Sequence, residues 1–342
     1  MTTRTSPPTA DKTLQLCGTG MAVPARHRTS VEIDSELGRP AGWLERQCGV
    51  RARFVCEGEG QEELSLSAAE RALADAGMRA QDVDLVMFTG AVGLQPIPAT
   101  APRLAGLLGL FDAGIAAFDV NATCLGFLAG FDIAVSHLLG GRYHTALIIA
   151  SDISSRALPW HSEPQIAGLF GDGAAACVIS TRADTGLTFD LRSARFESYP
   201  EGYDYCALPA GGTRIDYHAD PAAFAAGAYF EMNGRELYRL TAKHFPAFVD
   251  TLLDRAGWSH ADVDLVVPHQ ANLKALEHLE RRCGFDRDRV VSIMAEYGNQ
   301  VSASLPTALH LALSEGRIVK GQKLLMLGTS AGISFGGLAL QL

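Results

Sequence analysis

Apolar positions along the chain fall into short continuous runs and into segments with a repeat of three to four residues. The runs predict buried strands and the segments predict helices. One pair of these elements occurs twice. Leu73-Ala74-Asp75-Ala76-Gly77 followed by Asp82-Val83-Asp84-Leu85-Val86 returns as Leu253-Asp254-Arg255-Ala256-Gly257 followed by Asp262-Val263-Asp264-Leu265-Val266, at an offset of 180 residues. In each copy a helix stops at an Ala-Gly C-cap, and a short turn leads to an apolar strand. A second block, Leu147-Ile148-Ile149-Ala150-Ser151, precedes Leu325-Met326-Leu327-Gly328-Thr329 by 178 residues. Such short matches are common singly, but their order is the same in both places. They predict two similar halves, 12–182 and 183–342, each of alternating strands and helices, so an α/β fold with layered sheets. Residues 114–139 hold an apolar helix from about Cys124 to a stop at Gly140-Gly141, and its all-round apolarity predicts a central position. Ile333 to Leu342 alternates like a last strand. The Gly- and Pro-rich stretch from Tyr199 through Pro221 reads as a surface loop.

Composition narrows the class. Hydrophobic residues make up 47% and charged residues 20%, a globular balance with material for a large core. The net charge of −9 argues against non-specific nucleic-acid binding, which needs Lys and Arg on phosphates, so an anionic partner must find a local basic patch. The helix after the loop carries Arg235, Arg239 and Lys243 on one face, either a solvated surface or a docking strip. Seven cysteines, an odd number without any C-x-x-C, read as reduced thiols and not as a disulfide frame or zinc site. Met1 to Lys12 is polar and lacks the apolar core of a signal peptide. No apolar run reaches the roughly 18 residues of a membrane span. The expectation is a cytoplasmic protein with neither membrane nor nucleic acid as partner. Gly18-Thr19-Gly20 lacks the third glycine of a dinucleotide fingerprint, and no P-loop lysine motif occurs, so neither cofactor nor metal is implied.

Three segments can do chemistry. In Asp119-Val120-Asn121-Ala122-Thr123-Cys124 a strand ends and the apolar helix begins. Most cysteines are small buried hydrophobes, but one at a helix start meets free N–H groups and a dipole that favour the thiolate. In Leu265-Val266-Val267-Pro268-His269-Gln270-Ala271-Asn272 a strand delivers His269 at its C-terminal end, where open α/β sheets place ligands. In Glu296-Tyr297-Gly298-Asn299 a tight turn presents Asn299, which reads equally well as a helix N-cap or as a site residue. Gly328-Thr329-Ser330-Ala331-Gly332 matches the G-x-S-x-G elbow of α/β-hydrolases. A strand follows it instead of a helix, and no His, Asp or Glu remains downstream, so it reads as a loop presenting backbone N–H groups.

Together these segments, with Phe170-Gly171-Asp172-Gly173-Ala174-Ala175, Gly49-Val50-Arg51 and Gly336-Gly337, resemble the thiolase superfamily. Within it they are similar to the β-ketoacyl-acyl-carrier-protein synthase III group. The resemblance implies a five-layered αβαβα sandwich built from a duplicated half, normally a homodimer. It implies Cys124, His269 and Asn299 as catalytic residues and the backbone N–H groups of Cys124 and Ala331 as oxyanion hole. Trp43, Ile97, Gly234 and Asn272 would bind substrate, and Arg235, Arg239 and Lys274 would dock a carrier. The implied partners are acyl carrier protein or acyl-coenzyme A and a malonyl thioester. The implied reaction is acylation of Cys124 followed by decarboxylative condensation to a 3-oxoacyl product, in fatty-acid-type or polyketide metabolism. Transfer of the acyl group to an alcohol or amine is the alternative, and a catalytically silent scaffold is a third reading that an intact Cys-His-Asn set disfavours.

Three places depart from that pattern. Gln47 stands where the family usually has an Arg for the coenzyme A nucleotide. Ile97 replaces the aromatic acyl gate, which predicts acyl groups longer or bulkier than acetyl. The family's G-N-T-S-A-A-S is here Gly298-Asn299-Gln300-Val301-Ser302-Ala303-Ser304.

Overall fold

The computed structural model describes residues 12–112 and 114–342. Nine strands form one sheet among these residues. They are β1 (Leu14–Ala22), β2 (Leu85–Phe88), β3 (Ala116–Asp119), β4 (Thr145–Asp152), β5 (Gly173–Ser180), β6 (Leu187–Ser198), β7 (Leu265–Pro268), β8 (Lys323–Ser330) and β9 (Ser334–Gln341). Their spatial order is β7-β8-β9-β6-β1-β5-β4-β2-β3. The order repeats about its middle. On one side β2 runs parallel to β4, which is antiparallel to β5, which is antiparallel to β1. On the other, β7 runs parallel to β8, which is antiparallel to β9, which is antiparallel to β6. The antiparallel pairing of β1 with β6 joins the two sets.

Strand periodicity builds the layers, because neighbouring residues point to opposite faces. Leu85 and Met87 of β2, Ile148 of β4, Leu265 and Val267 of β7 and Met326 of β8 face one shared core. Two helices fill it, α3 (Gly126–Leu139) and α6 (Ser304–Ser314), through Phe127, Phe131, Val135, Leu305 and Leu309. The alternate residues of β2, β4 and β5 face outward onto α1 (Gln61–Asp75) and α2 (Thr100–Leu107). Those of β7, β8 and β9 pack on α4 (Gly234–Ala256) and α5 (Leu273–Arg282). The sequence of layers is helix, sheet, helix, sheet, helix, the five-layered sandwich anticipated above.

The repeated sequence blocks lie at equivalent places. Helix α1 ends at the Ala76-Gly77 turn, with Gly77 at φ +64°, and α4 ends at Gly257, φ +71°. In both copies a short 3₁₀ turn follows, closed by the side chain of Asp82 on Arg79 N and of Asp262 on Ser259 N. Gly18 lets α1 approach β1, since a Cβ there would lie 2.4 Å from Ala76 N. That accounts for the glycines of Gly18-Thr19-Gly20 by packing alone. Among the described residues no helix is long and apolar enough to cross a membrane.

The first part of the stretch from Tyr199 through Pro221 departs from its reading as a surface loop, whereas 208–220 is irregular and mostly exposed as expected. That first part folds as a 3₁₀ helix, Pro200–Tyr205, and a short strand, Cys206–Ala207, paired with Glu231–Met232. Apolar residues scattered without a period gave no sign of this, because they cover a cavity and not a regular element.

Candidate active site

The sheet's C-terminal strand ends meet at the floor of a cavity of about 1110 Å³. Cys124, His269 and Asn299 all line it. Each is held by its own device. Cys124 sits in a single 3₁₀ turn, Thr123–Leu125, ahead of α3, so the α-helix starts two residues later than its sequence suggests. Gly126 allows this close seat, because a Cβ there would lie 2.1 Å from Thr89 O. Thr123 takes φ +52°, a strained setting for a β-branched residue, and its N–H donates to Asn121 Oδ1 at 2.9 Å.

His269 leaves β7 with its backbone N–H donating to Leu327 O at 2.7 Å. Gly328 packs between Leu125 and His269: a Cβ on it would approach Leu125 Cδ2 to 2.6 Å and His269 Cβ to 3.3 Å. Only a glycine keeps the Cys124 turn and the histidine this close. The His269 ring is buried, and its Nδ1 has no partner. Burial lowers its pKa to about 4, so the imidazole is neutral at physiological pH.

Asn299 does not cap a helix. Its Oδ1 accepts from Val301 N at 2.8 Å and from Ser304 Oγ at 3.2 Å, and Val301 takes φ +53°. Its Nδ2 donates to Ala271 O at 3.3 Å, tying the turn to the His269 loop. Since an amide nitrogen carries two hydrogens, one N–H is left for the cavity. Thr123 and Val301 are the two non-glycine residues with positive φ among the described residues. Each setting costs of order 1–3 kcal/mol, and they lie beside Cys124 and Asn299.

The helix start does not make Cys124 a thiolate, contrary to the electrostatic expectation. Burial comes first and pushes the thiol up to about 12, with the charges of Cys206 and Asp152 adding to it. The Ala331 N–H and the Ser330 hydroxyl act in the opposite direction without overcoming the loss of water. Ser330 Oγ also donates to Ala122 O at 3.1 Å, fixing this loop against the Cys124 turn.

The other expected residues divide. Gly234 and Asn272 line the cavity; Trp43 and Ile97 do not. Trp43 is half-buried with the Arg39 guanidinium 5.0 Å from its ring centre, and Ile97 is 86% exposed. Arg235 and Lys274 share a groove between α4 and α5, where Arg281 and Arg282 join them. Arg239 lies outside it and pairs with Glu236 at 2.8 Å. Sequence reading did not single out Arg281, Arg282, Asp152, Ser302 or Cys206. The last is a second thiol on the wall of the same cavity. Asp152 carried a usable signal, as a carboxylate directly after the apolar run Leu147–Ser151.

Comparison with known proteins gives the family. The 3-oxoacyl-[acyl-carrier-protein (ACP)] synthase III family model matches residues 118–194, and the model of that enzyme's C-terminal part matches 253–342. Beta-ketoacyl-[acyl-carrier-protein] synthase III 3 of Streptomyces coelicolor is 35% identical over 327 residues, covering 95% of this chain and 96% of that protein. The chain belongs to the 3-oxoacyl-[acyl-carrier-protein] synthase III family. As a member it is an enzyme, an acyltransferase. The crystal structure of the synthase III from Pseudomonas aeruginosa PAO1 superposes with a TM-score of 0.84 at 32% identity, covering 96% of this chain and 98% of that one. The priming β-ketosynthase from the R1128 polyketide biosynthetic pathway gives 0.84 at 26%, covering 96% of each chain. Synthase III proteins and a polyketide priming enzyme thus share this fold and length.

Proposed function

We propose that Cys124 carries the acyl group, and that His269 and Asn299 hold the malonyl thioester while it loses carbon dioxide. The observation that carries this reading is the convergence of the three side chains on one cavity. The sulfur of Cys124 attacks the carbonyl of an acyl thioester. The N–H groups of Cys124 and Ala331 hold the oxyanion, the carrier thiol leaves, and the proton of Cys124 goes with it. A malonyl thioester then enters. A ring N–H of neutral His269 and the free N–H of Asn299 Nδ2 hold its carbonyl oxygen as the bond to the carboxylate breaks. The enolate carbon attacks the acyl-Cys124 carbonyl and expels the thiolate, which takes a proton from solvent. The products are a 3-oxoacyl thioester and carbon dioxide. No resident cofactor enters this sequence.

The size of the cavity and the small side chain of Ile97 support acyl groups larger than acetyl. We take the enzyme to be a homodimer, with exposed Val92, Leu94 and Ile97 turned to the second copy and Ile97 meeting its acyl site. The chain's halves divide between residues 182 and 183. The α4–α5 groove, with Arg235, Lys274, Arg281 and Arg282, is the docking place for an acidic carrier protein; Arg239 would act at its edge. Its pathway is fatty-acid or polyketide synthesis, in the cytoplasm.

The test separates the two half-reactions. His269→Ala and Asn299→Ala should acylate Cys124 at close to the normal rate. They should lose condensation by about 10²–10³, the usual cost of one such donor. Equal loss of both steps would remove the assigned roles. An acyl-enzyme indifferent to malonyl thioester but discharged by an alcohol would establish non-decarboxylating transfer.

A further inference from the structure

Asp152 ends β4 at the cavity wall and is 3% exposed. The mechanism above gives it no part, yet its carboxylate takes four hydrogen bonds. Oδ1 accepts from Ala91 N at 3.0 Å and Val92 N at 3.3 Å. Oδ2 accepts from Ser302 N at 3.0 Å and Ser302 Oγ at 2.6 Å. The two oxygens therefore grip two different segments, and each segment leads to one catalytic residue.

On the first side, Ala91 O accepts from Asn121 Nδ2 at 2.9 Å, and Asn121 Oδ1 accepts from Thr123 N at 2.9 Å. That path ends on the strained residue next to Cys124. On the second side, Ser302 follows Val301, the other strained residue, whose N–H is held by Asn299 Oδ1. That path ends on Asn299. A left-handed β-branched residue relaxes unless its surroundings hold it. The held ends of both turns meet at this carboxylate. Charge-assisted hydrogen bonds to a carboxylate are shorter and stronger than neutral ones, which suits this duty. Ser302 is also one of the positions where the chain departs from the G-N-T-S-A-A-S pattern, so the hydroxyl half of the clamp is a feature of this chain.

We propose that Asp152 is a positioning residue that clamps the Asn299 turn to the nucleophile floor, setting the Asn299 amide over Cys124 for the condensation step. The proposal rests on the reading of Asn299 as a donor to the malonyl thioester. Burial raises the Asp152 carboxyl and the Ser302, Val92 and Ala91 donors oppose it without overcoming it, leaving it at about 7; the clamp itself stands on the four hydrogen bonds.

Asp152→Asn keeps the shape but turns an amide nitrogen toward one pair of donors. Ser302→Ala removes a single bond and leaves the Asn121 path intact. Both proteins should be compared with wild type in single-turnover acylation of Cys124 and in steady-state condensation. For Ser302→Ala the expected result is kcat for condensation down about tenfold, with acylation and the KM for malonyl thioester within about twofold, because the loss lies in the transition state alone. Asp152→Asn should slow both half-reactions, since it releases both turns. Condensation within twofold of wild type in Ser302→Ala, or acylation and condensation falling together in that variant, would overturn the proposal even if Asp152→Asn fails to fold. Failure of the underlying reading looks different: the wild-type acyl-enzyme would then not react with malonyl thioester at all.

Discussion

Cys124 shows how two residue-scale effects compete. A helix N-terminus offers Cys124 a favourable dipole, typically worth up to about 2 kcal/mol even where partly buried. Removal from water acts against the charged form and wins, so the resting thiol stays protonated. The position of Cys124 was legible in the sequence because the change from strand to helix is written in the pattern; its half-buried setting was not, because the loop at Ser330 and Ala331 that packs on it lies far along the chain. Alkylation of Cys124 by iodoacetamide should therefore rise about tenfold per pH unit from pH 7 to 9 without levelling, as expected of a thiol pushed up to about 12. A plateau below pH 8 would mean that the helix start prevails. Asn299 teaches a related lesson. Gly298-Asn299 was legible as a turn, but its two readings separate only when the partners of Oδ1 are seen: Val301 N and Ser304 Oγ, within a turn and not at a helix end.

Among elements, the helix-turn-strand repeat was the most legible feature. It is local: an αL glycine, an aspartate closing a 3₁₀ turn and an apolar strand recur within about fourteen residues in both copies. The basic strip was legible only in part. Arg235 and Arg239 are on one helix, but the groove is made by a second helix, so Arg281 and Arg282 join it while Arg239 turns to Glu236. The cavity cover between residues 199 and 233 was not legible, because its residues are ordered by what lies beneath them. The central helix α3 depends on a contact that the sequence only hints at. Gly126→Ala would place a methyl against the Thr89 carbonyl, where a backbone atom cannot give way easily. Overpacking of this kind costs about 1–3 kcal/mol, so urea unfolding should show at least that loss. Because the same shift moves Cys124, acylation should slow as well. A variant as stable as wild type would show that α3 has room to move.

For the whole molecule, charge and shape point to one mode of use. A protein of net charge −9 repels an acidic carrier except where cations are concentrated, and the α4–α5 groove concentrates four. Gly234, Tyr238 and His278 border both the groove and the large cavity, so the two adjoin. Replacing Lys274 and Arg281 by Glu should raise the KM for carrier-borne substrate about tenfold or more, equivalent to about 1.4 kcal/mol. It should leave small thioesters nearly unaffected, and the difference should shrink with added salt. Equal effects on both substrates would remove the docking role. The most direct measurement of the central claim is peptide mass spectrometry after incubation with acyl thioesters. The account predicts one acyl group on the peptide holding Cys124, none on that holding Cys206, none in Cys124→Ala, and its loss as a 3-oxoacyl product with carbon dioxide when malonyl thioester is added. An acyl group on another residue, or no adduct with any donor, would contradict it.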